Sequence, residues 1–180
     1  MPSESIPRAI IERRRTVPLL TNTTIKPLPM FTAPVPTQGL NHLGIAVASI
    51  EAARNFYESV LGAAFEGDEV VADQGVHVAF FRLGDGPSAI HLELLEPTRD
   101  DSPIAKFLAK RGPGLHHVAY TVDDVAAALA SAEQAGLRCI DAVPRRGAHG
   151  ADIAFLHPQS TGGLLTELCQ PAAHAVSVHS

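Results

Sequence analysis

Two histidines and two glutamates of this 180-residue chain recur in step. His42 lies in GLNHLGIAVASI (Gly39–Ile50) and His117 in GLHHVAYTVDDV (Gly114–Val125), which align at an offset of 75 with Gly, Leu, His and Val in place. Glu93 lies in IHLELLEP (Ile90–Pro97) and Glu167 in LLTELCQP (Leu164–Pro171), which align at an offset of 74 with Glu, Leu and Pro matched. A lone strand histidine is ordinarily a satisfied core or edge residue, and a lone strand glutamate ordinarily faces water. The same pair recurring at matched positions is hard to explain as surface decoration. Internal repetition means like units sharing one core, and repeat-equivalent residues are then related by an approximate two-fold axis. His42 is expected to meet His117, and Glu93 to meet Glu167. Imidazole nitrogens with carboxylate oxygens suit a divalent metal of intermediate hardness, with positions left open for water or substrate.

The elements that must position these four residues can be read around them. Each repeat of 55–60 residues is small for an independent domain, so the two must share their core. Side chains alternate along a strand, which places His42 with the small Gly44 and Ala46, opposite Leu43, Ile45 and Val47. The small neighbours leave room for a ligand. Ser49 reads as the cap of a helix with the apolar stripe Ala53, Phe56, Tyr57 and Val60, ended by Gly62; Asp123 or Asp124 caps a second with Val125, Ala128, Leu129 and Ala132, ended by Gly136. Short β-rich runs follow: 76–83 and 89–95 in the first module, 153–156 and 163–169 in the second. The order is βαβββ, twice. Modules 39–97 and 114–172 are joined by a helix over 102–111, capped by Asp101 or Ser102, with Pro103 at its first position and Gly112 beyond its end. The fold class is therefore α+β, two tandem βαβββ modules about a pseudo-two-fold axis.

Outside 39–172 the composition changes. Residues 1–38 carry seven prolines and five basic residues against Glu4 and Glu12, and read as an extended or mobile tail; 173–180 read as a second tail. The arginines and hydroxyl residues of the first tail faintly suggest an organelle transit peptide, so a mitochondrial matrix location stands as the alternative to a cytoplasmic one. No apolar run reaches the ~20 residues of a membrane span. The net charge of −5 lacks the basic surplus that phosphate backbones require. Small molecules or proteins, rather than nucleic acid or membrane, are the expected partners. Cys139 and Cys169 sit in apolar stretches without CxxC spacing and read as buried thiols.

The paired βαβββ pattern resembles the vicinal-oxygen-chelate superfamily, which holds the glyoxalases, bleomycin-resistance proteins and dioxygenases. Within it, HLGIAV, DSPIAKFLAKRG, GLHHVAYTVDD, GAHG and FLHPQSTGGLLTEL resemble the methylmalonyl-CoA epimerases over about Gly39 to Pro171. The resemblance implies a divalent metal, cobalt foremost, with manganese, zinc and magnesium as alternatives, on His42, Glu93, His117 and Glu167. It also implies a homodimer and an acyl-CoA substrate whose 2R and 2S forms interconvert by loss and return of the C2 proton through an enolate. Glu167 is the expected catalytic base. Some family members carry a further glutamate where this chain has Val78, so the second acid–base group is unassigned; His77 should face away.

Several softer assignments accompany these. Arg145 and Arg146 with His149 of the GAHG turn (Gly147–Gly150) can offer charge and free N–H groups to a carboxylate or phosphate, and Ser160 and Thr161 can border the substrate. His91 shares the parity of Glu93 and is expected near the site, whereas His116 should turn to the other face of its strand. The rival readings are a glyoxalase I-like lyase on the same metal site and a metal-free binding protein of the bleomycin-resistance type. An extradiol dioxygenase fits less well, since its site has two histidines and one carboxylate.

Overall fold

The computed structural model describes residues 34–172. Most of the expected N-terminal tail, the transit-peptide reading and the C-terminal residues 173–180 lie outside the described residues. The end of the first tail is already part of the domain: the Gln38 N–H donates to the Thr121 carbonyl at 2.8 Å, and Val35 packs against a buried apolar cluster.

The first module runs β1 (Gly39–Ala46), α1 (Ile50–Asn55), β2 (Ala64–Val71), β3 (Val76–Leu83) and β4 (Ile90–Pro97). Helix α2 (Pro103–Arg111) links it to β5 (Gly114–Thr121), α3 (Val125–Gln134), β6 (Arg145–Arg146), β7 (Asp152–Leu156) and β8 (Leu165–Gln170). Among the described residues, the eight strands form one sheet in the order β2-β3-β4-β1-β5-β8-β7-β6. The repeat is visible in its pairing: β1 runs parallel to β4, β5 parallel to β8, and β1 joins β5 antiparallel at the centre. The local two-fold relation therefore passes between the two strands that carry His42 and His117.

Alternation sorts the strand residues onto two faces. On β3, Ala79 and Phe81 pack with Ile50, Leu92 and Leu94 beneath α1, while Val76, Val78 and Phe80 join Leu95 and Ile104 on the other face. In the second module Ala154, Leu156 and Leu168 pack under α3, whose stripe Val125, Ala128, Leu129 and Ala132 is buried as its spacing predicts. Asp124 is the α3 cap, accepting from the Ala127 N–H at 2.9 Å, and Ser102 caps α2 through Ala105 at 3.1 Å.

Two elements differ from expectation. After Asn55 the first helix widens into a π turn over Phe56–Val60, closed by Leu61 N–H to the Phe56 carbonyl at 3.1 Å. The wider turn rotates the residues after Phe56 off the helical stripe, leaving Val60 exposed rather than buried; Phe56, where the turn begins, is exposed as well. The second strand of module two shrinks to the two residues of β6, helped by an isolated Cys139–Leu156 bridge.

Candidate metal and active site

The four repeated residues converge on one face of the central strands. His42 and His117 are buried on β1 and β5, and Glu167 is buried on β8. The two imidazole Nε2 atoms lie 3.0 Å apart. His42 Nε2 is 3.5 Å from Glu93 Oε2 on β4 and 3.8 Å from Glu167 Oε1; His117 Nε2 is 3.4 Å from Glu167 Oε2. Space for the rings comes from their cross-strand partners, since Gly44 stands opposite His117 and Ala119 opposite His42.

Two bulges orient the rings. The β1–β5 register slips between Leu40 and His42 and again opposite Gly44/Ile45, passing over Asn41 on one strand and His116 on the other. Each bulged residue precedes a repeated histidine, and its turned side chain meets that histidine's Nδ1: Asn41 Oδ1 at 2.8 Å from His42 Nδ1, His116 Nδ1 at 3.0 Å from His117 Nδ1. An amide oxygen only accepts, so His42 Nδ1–H donates and its Nε2 presents a lone pair to the cluster. This corrects the parity argument for His116. A bulge breaks period-2 alternation, and His116 turns into the cavity against Phe107 of α2.

The electrostatics fit a cation. Burial, then His91, lowers the His42 pKa to about 4, and burial with His42, His116 and Arg145 holds His117 well below the usual histidine range. Burial, then Glu69, pushes Glu93 up to about 7; burial and then Glu93 hold Glu167 well above the carboxylate range, against the opposing pull of Arg145. Each donor resists charge in this low-dielectric setting, and a divalent ion would relieve all four together. The two Nε2 atoms, 3.0 Å apart, are close enough that one ion would be held by both. Replacing Asn41 by Leu should weaken zinc or cobalt binding about tenfold, because an unheld ring must be ordered on binding. Competition against a chromophoric chelator measures this, and unchanged affinity would remove Asn41 from the orienting role.

The cluster forms the floor of a cavity of about 730 Å³, large enough for the reacting end of a ligand. Glu93 and Glu167 are its two lining carboxylates among the described residues, one from each module. Arg145 lines it too, its guanidinium over Phe155 and its Nε 3.3 Å from Asp141. His149 borders it, stacked on Phe80 with ring centroids 3.9 Å apart. His91 lines the mouth beside Glu66, and His77 pairs with Asp68 away from it, at 2.7 Å.

Three expectations are corrected. Arg146 turns out of the cavity to the Gly150 carbonyl and Asp152. Ser160 Oγ accepts the Arg138 N–H at 2.9 Å, and Thr161 Oγ1 donates to the Leu164 carbonyl. Thr161 is engaged within its own turn and Ser160 by the chain 22 residues earlier, and neither residue lines the cavity. Cys169, a free thiol raised to about 12 by burial and then Glu167, does line it. It could have been found from its parity with Glu167, two residues earlier on the same strand.

A paired βαβββ sheet with a His/Glu cluster at its centre defines a protein of the glyoxalase/bleomycin resistance protein/dioxygenase superfamily, whose sequence profile matches residues 41–155. The human mitochondrial methylmalonyl-CoA epimerase is 39% identical over 151 residues, covering 83% of this chain and 84% of the human one. The ethylmalonyl-CoA/methylmalonyl-CoA epimerase of Cereibacter sphaeroides is 41% identical over 133 residues, covering 73% and 96%. A variant of Streptomyces coelicolor methylmalonyl-CoA epimerase, solved in complex with 2-nitronate-propionyl-CoA, superposes with a TM-score of 0.72 at 41% identity, covering 77% of this chain and all of that one. This chain belongs to the methylmalonyl-CoA epimerase family and is an isomerase.

Proposed function

We propose that this enzyme interconverts (2R)- and (2S)-methylmalonyl-CoA, using a divalent metal held by His42, Glu93, His117 and Glu167. The observation that carries the reading is the convergence of those four side chains, two from each module, on the floor of one cavity. Glu167 takes the C2 proton: the C2–H bond breaks, its electron pair delocalises into the thioester carbonyl, a water at the cavity mouth gives a proton to the opposite face of the enolate, and the proton held on Glu167 passes to the hydroxide that is left. The bound metal supplies Lewis-acid stabilisation for the negative charge that develops on oxygen. Cobalt is favoured by family resemblance, and manganese, zinc or magnesium suits the same donors. Arg145 gives the cavity a fixed positive charge for the substrate carboxylate, and His149 walls the acyl end.

The apolar cavity wall formed by Val76, Val78, Phe80 and Leu95 suits a short alkyl branch. A cytoplasmic homodimer goes with this reading, with Leu40 and Leu115, half exposed on adjacent strands, available for contact; among the described residues no helix is long and apolar enough to cross a membrane.

The test is exchange of the C2 proton of methylmalonyl-CoA in deuterated water, followed together with stereochemical purity. Metal-loaded protein is expected to exchange and racemise, and chelated protein to lose both, regaining them on reloading. Absence of exchange with every divalent metal would overturn the reading in favour of other chemistry on this fold.

A further inference from the structure

The two edges of the sheet, β2 and β6, are tied together across the mouth of the cavity. Glu69 Oε2 on β2 accepts the backbone N–H of His149 at 2.9 Å, and the Gln74 side-chain amide, just past β2, donates to the Arg146 carbonyl at 3.0 Å. His149 is the one described non-glycine residue with a positive φ, at 51°. L-residues stay in that region only where their surroundings hold them. Two holds are visible: the Glu69 carboxylate on its N–H and the Phe80 ring under its imidazole. A third constraint comes from behind. Gly147 is pressed so close to β7 that an added Cβ would lie 2.9 Å from Ile153 Cγ2.

Register explains why Glu69 is the residue that reaches the turn. It stands opposite Val78 on β3, and directly paired residues share a face, so its carboxylate is on the cavity side. Nothing in the proton transfer uses it. We infer that Glu69 is a positioning residue for the substrate: by accepting the His149 N–H from the far edge of the sheet, it holds the His149 ring in place as a wall of the acyl pocket. This rests on the cavity being where the acyl-CoA reacts. The bond also joins the modules at a second seam, far in sheet order from the β1–β5 pairing, so the wall stays in register with the floor.

The experiment compares Glu69→Ala, which removes the acceptor, with Glu69→Gln, which keeps an oxygen that can accept. Steady-state epimerisation and hydrogen exchange of the His149 amide are measured on metal-loaded protein, with thermal unfolding as the check on folding. In Glu69→Ala, KM for methylmalonyl-CoA should rise about tenfold with kcat little changed, and His149 protection should be lost, as for one broken hydrogen bond to a charged acceptor. Glu69→Gln should keep both near wild type. Unchanged KM in Glu69→Ala overturns the inference whether or not protection is lost, and so does a Glu69→Gln as impaired as Glu69→Ala. A wild type that epimerises nothing would overturn the functional reading and this inference with it; an active wild type with an unaffected Glu69→Ala overturns the inference alone.

Discussion

Glu167→Gln should retain the fold and a bound metal yet lower C2 proton exchange by roughly a thousandfold, within the range measured when a general base is removed. Gln keeps an oxygen of the same reach, so the donor set loses a charge rather than a ligand. The proton-accepting form, however, is gone. At ~1.4 kcal/mol per tenfold, that loss corresponds to roughly 4 kcal/mol of transition-state stabilisation. Metal content must be measured on the same sample, because Glu167 lies within 4 Å of both histidine Nε2 atoms and its substitution weakens the site as well. Saturating the variant with metal separates the two effects. Exchange that returns to the wild-type rate at high metal would assign Glu167 to metal binding only and move the base elsewhere in the cavity. A rate that stays low with the metal bound assigns it the proton.

The reasons why some of this was legible in the sequence and some was not are local. His42, His117, Glu93 and Glu167 stand out in the sequence because a repeat makes each residue corroborate another, and the small Gly44 and Ala46 beside His42 follow from alternation alone. Alternation fails where register slips. Parity puts His116 on the wrong face because a bulge leaves no mark in a hydrophobic pattern, and the helical stripe puts Val60 in the core because a π turn is equally silent. Ser160 and Thr161 suggest substrate contact by their chemistry within a family-like phrase, whereas hydroxyls in turns commonly bond the nearby backbone, as Thr161 does. Glu69 is silent in the sequence for another reason. Its strand, β2, has exposed and half-buried positions and no fully buried one, so no apolar alternation announced it, and its role depends on contact with a turn 80 residues away.

Gly44→Ala tests whether the site depends on the space that this repeat leaves open. The glycine has no positive φ among those that demand one, so alanine brings no backbone strain. Its cost is steric. A Cβ there would collide with His117 Cε1 and lie 2.5 Å from both ring nitrogens, an overlap that no rotation of a methyl group relieves. The imidazole cannot simply move aside, because Phe155 stands edge-on with ring centroids 5.5 Å apart and His116 holds Nδ1 at 3.0 Å. Either the ring leaves the cluster or β1 and β5 separate at the centre of the sheet. Metal affinity should fall by at least about a hundredfold, with activity following, and the metal-free protein should lose about 1–3 kcal/mol, the usual cost of overpacking. Pairing the change with His117→Ala isolates the clash: contacting residues couple in a double-mutant cycle, so the double variant should regain the stability that Gly44→Ala alone loses while still binding metal poorly. If Gly44→Ala bound metal as wild type does, the convergence of His42 and His117 would not depend on the gap between their strands. Stability that failed to recover in the double variant would place the damage in strand pairing rather than in the histidine ring.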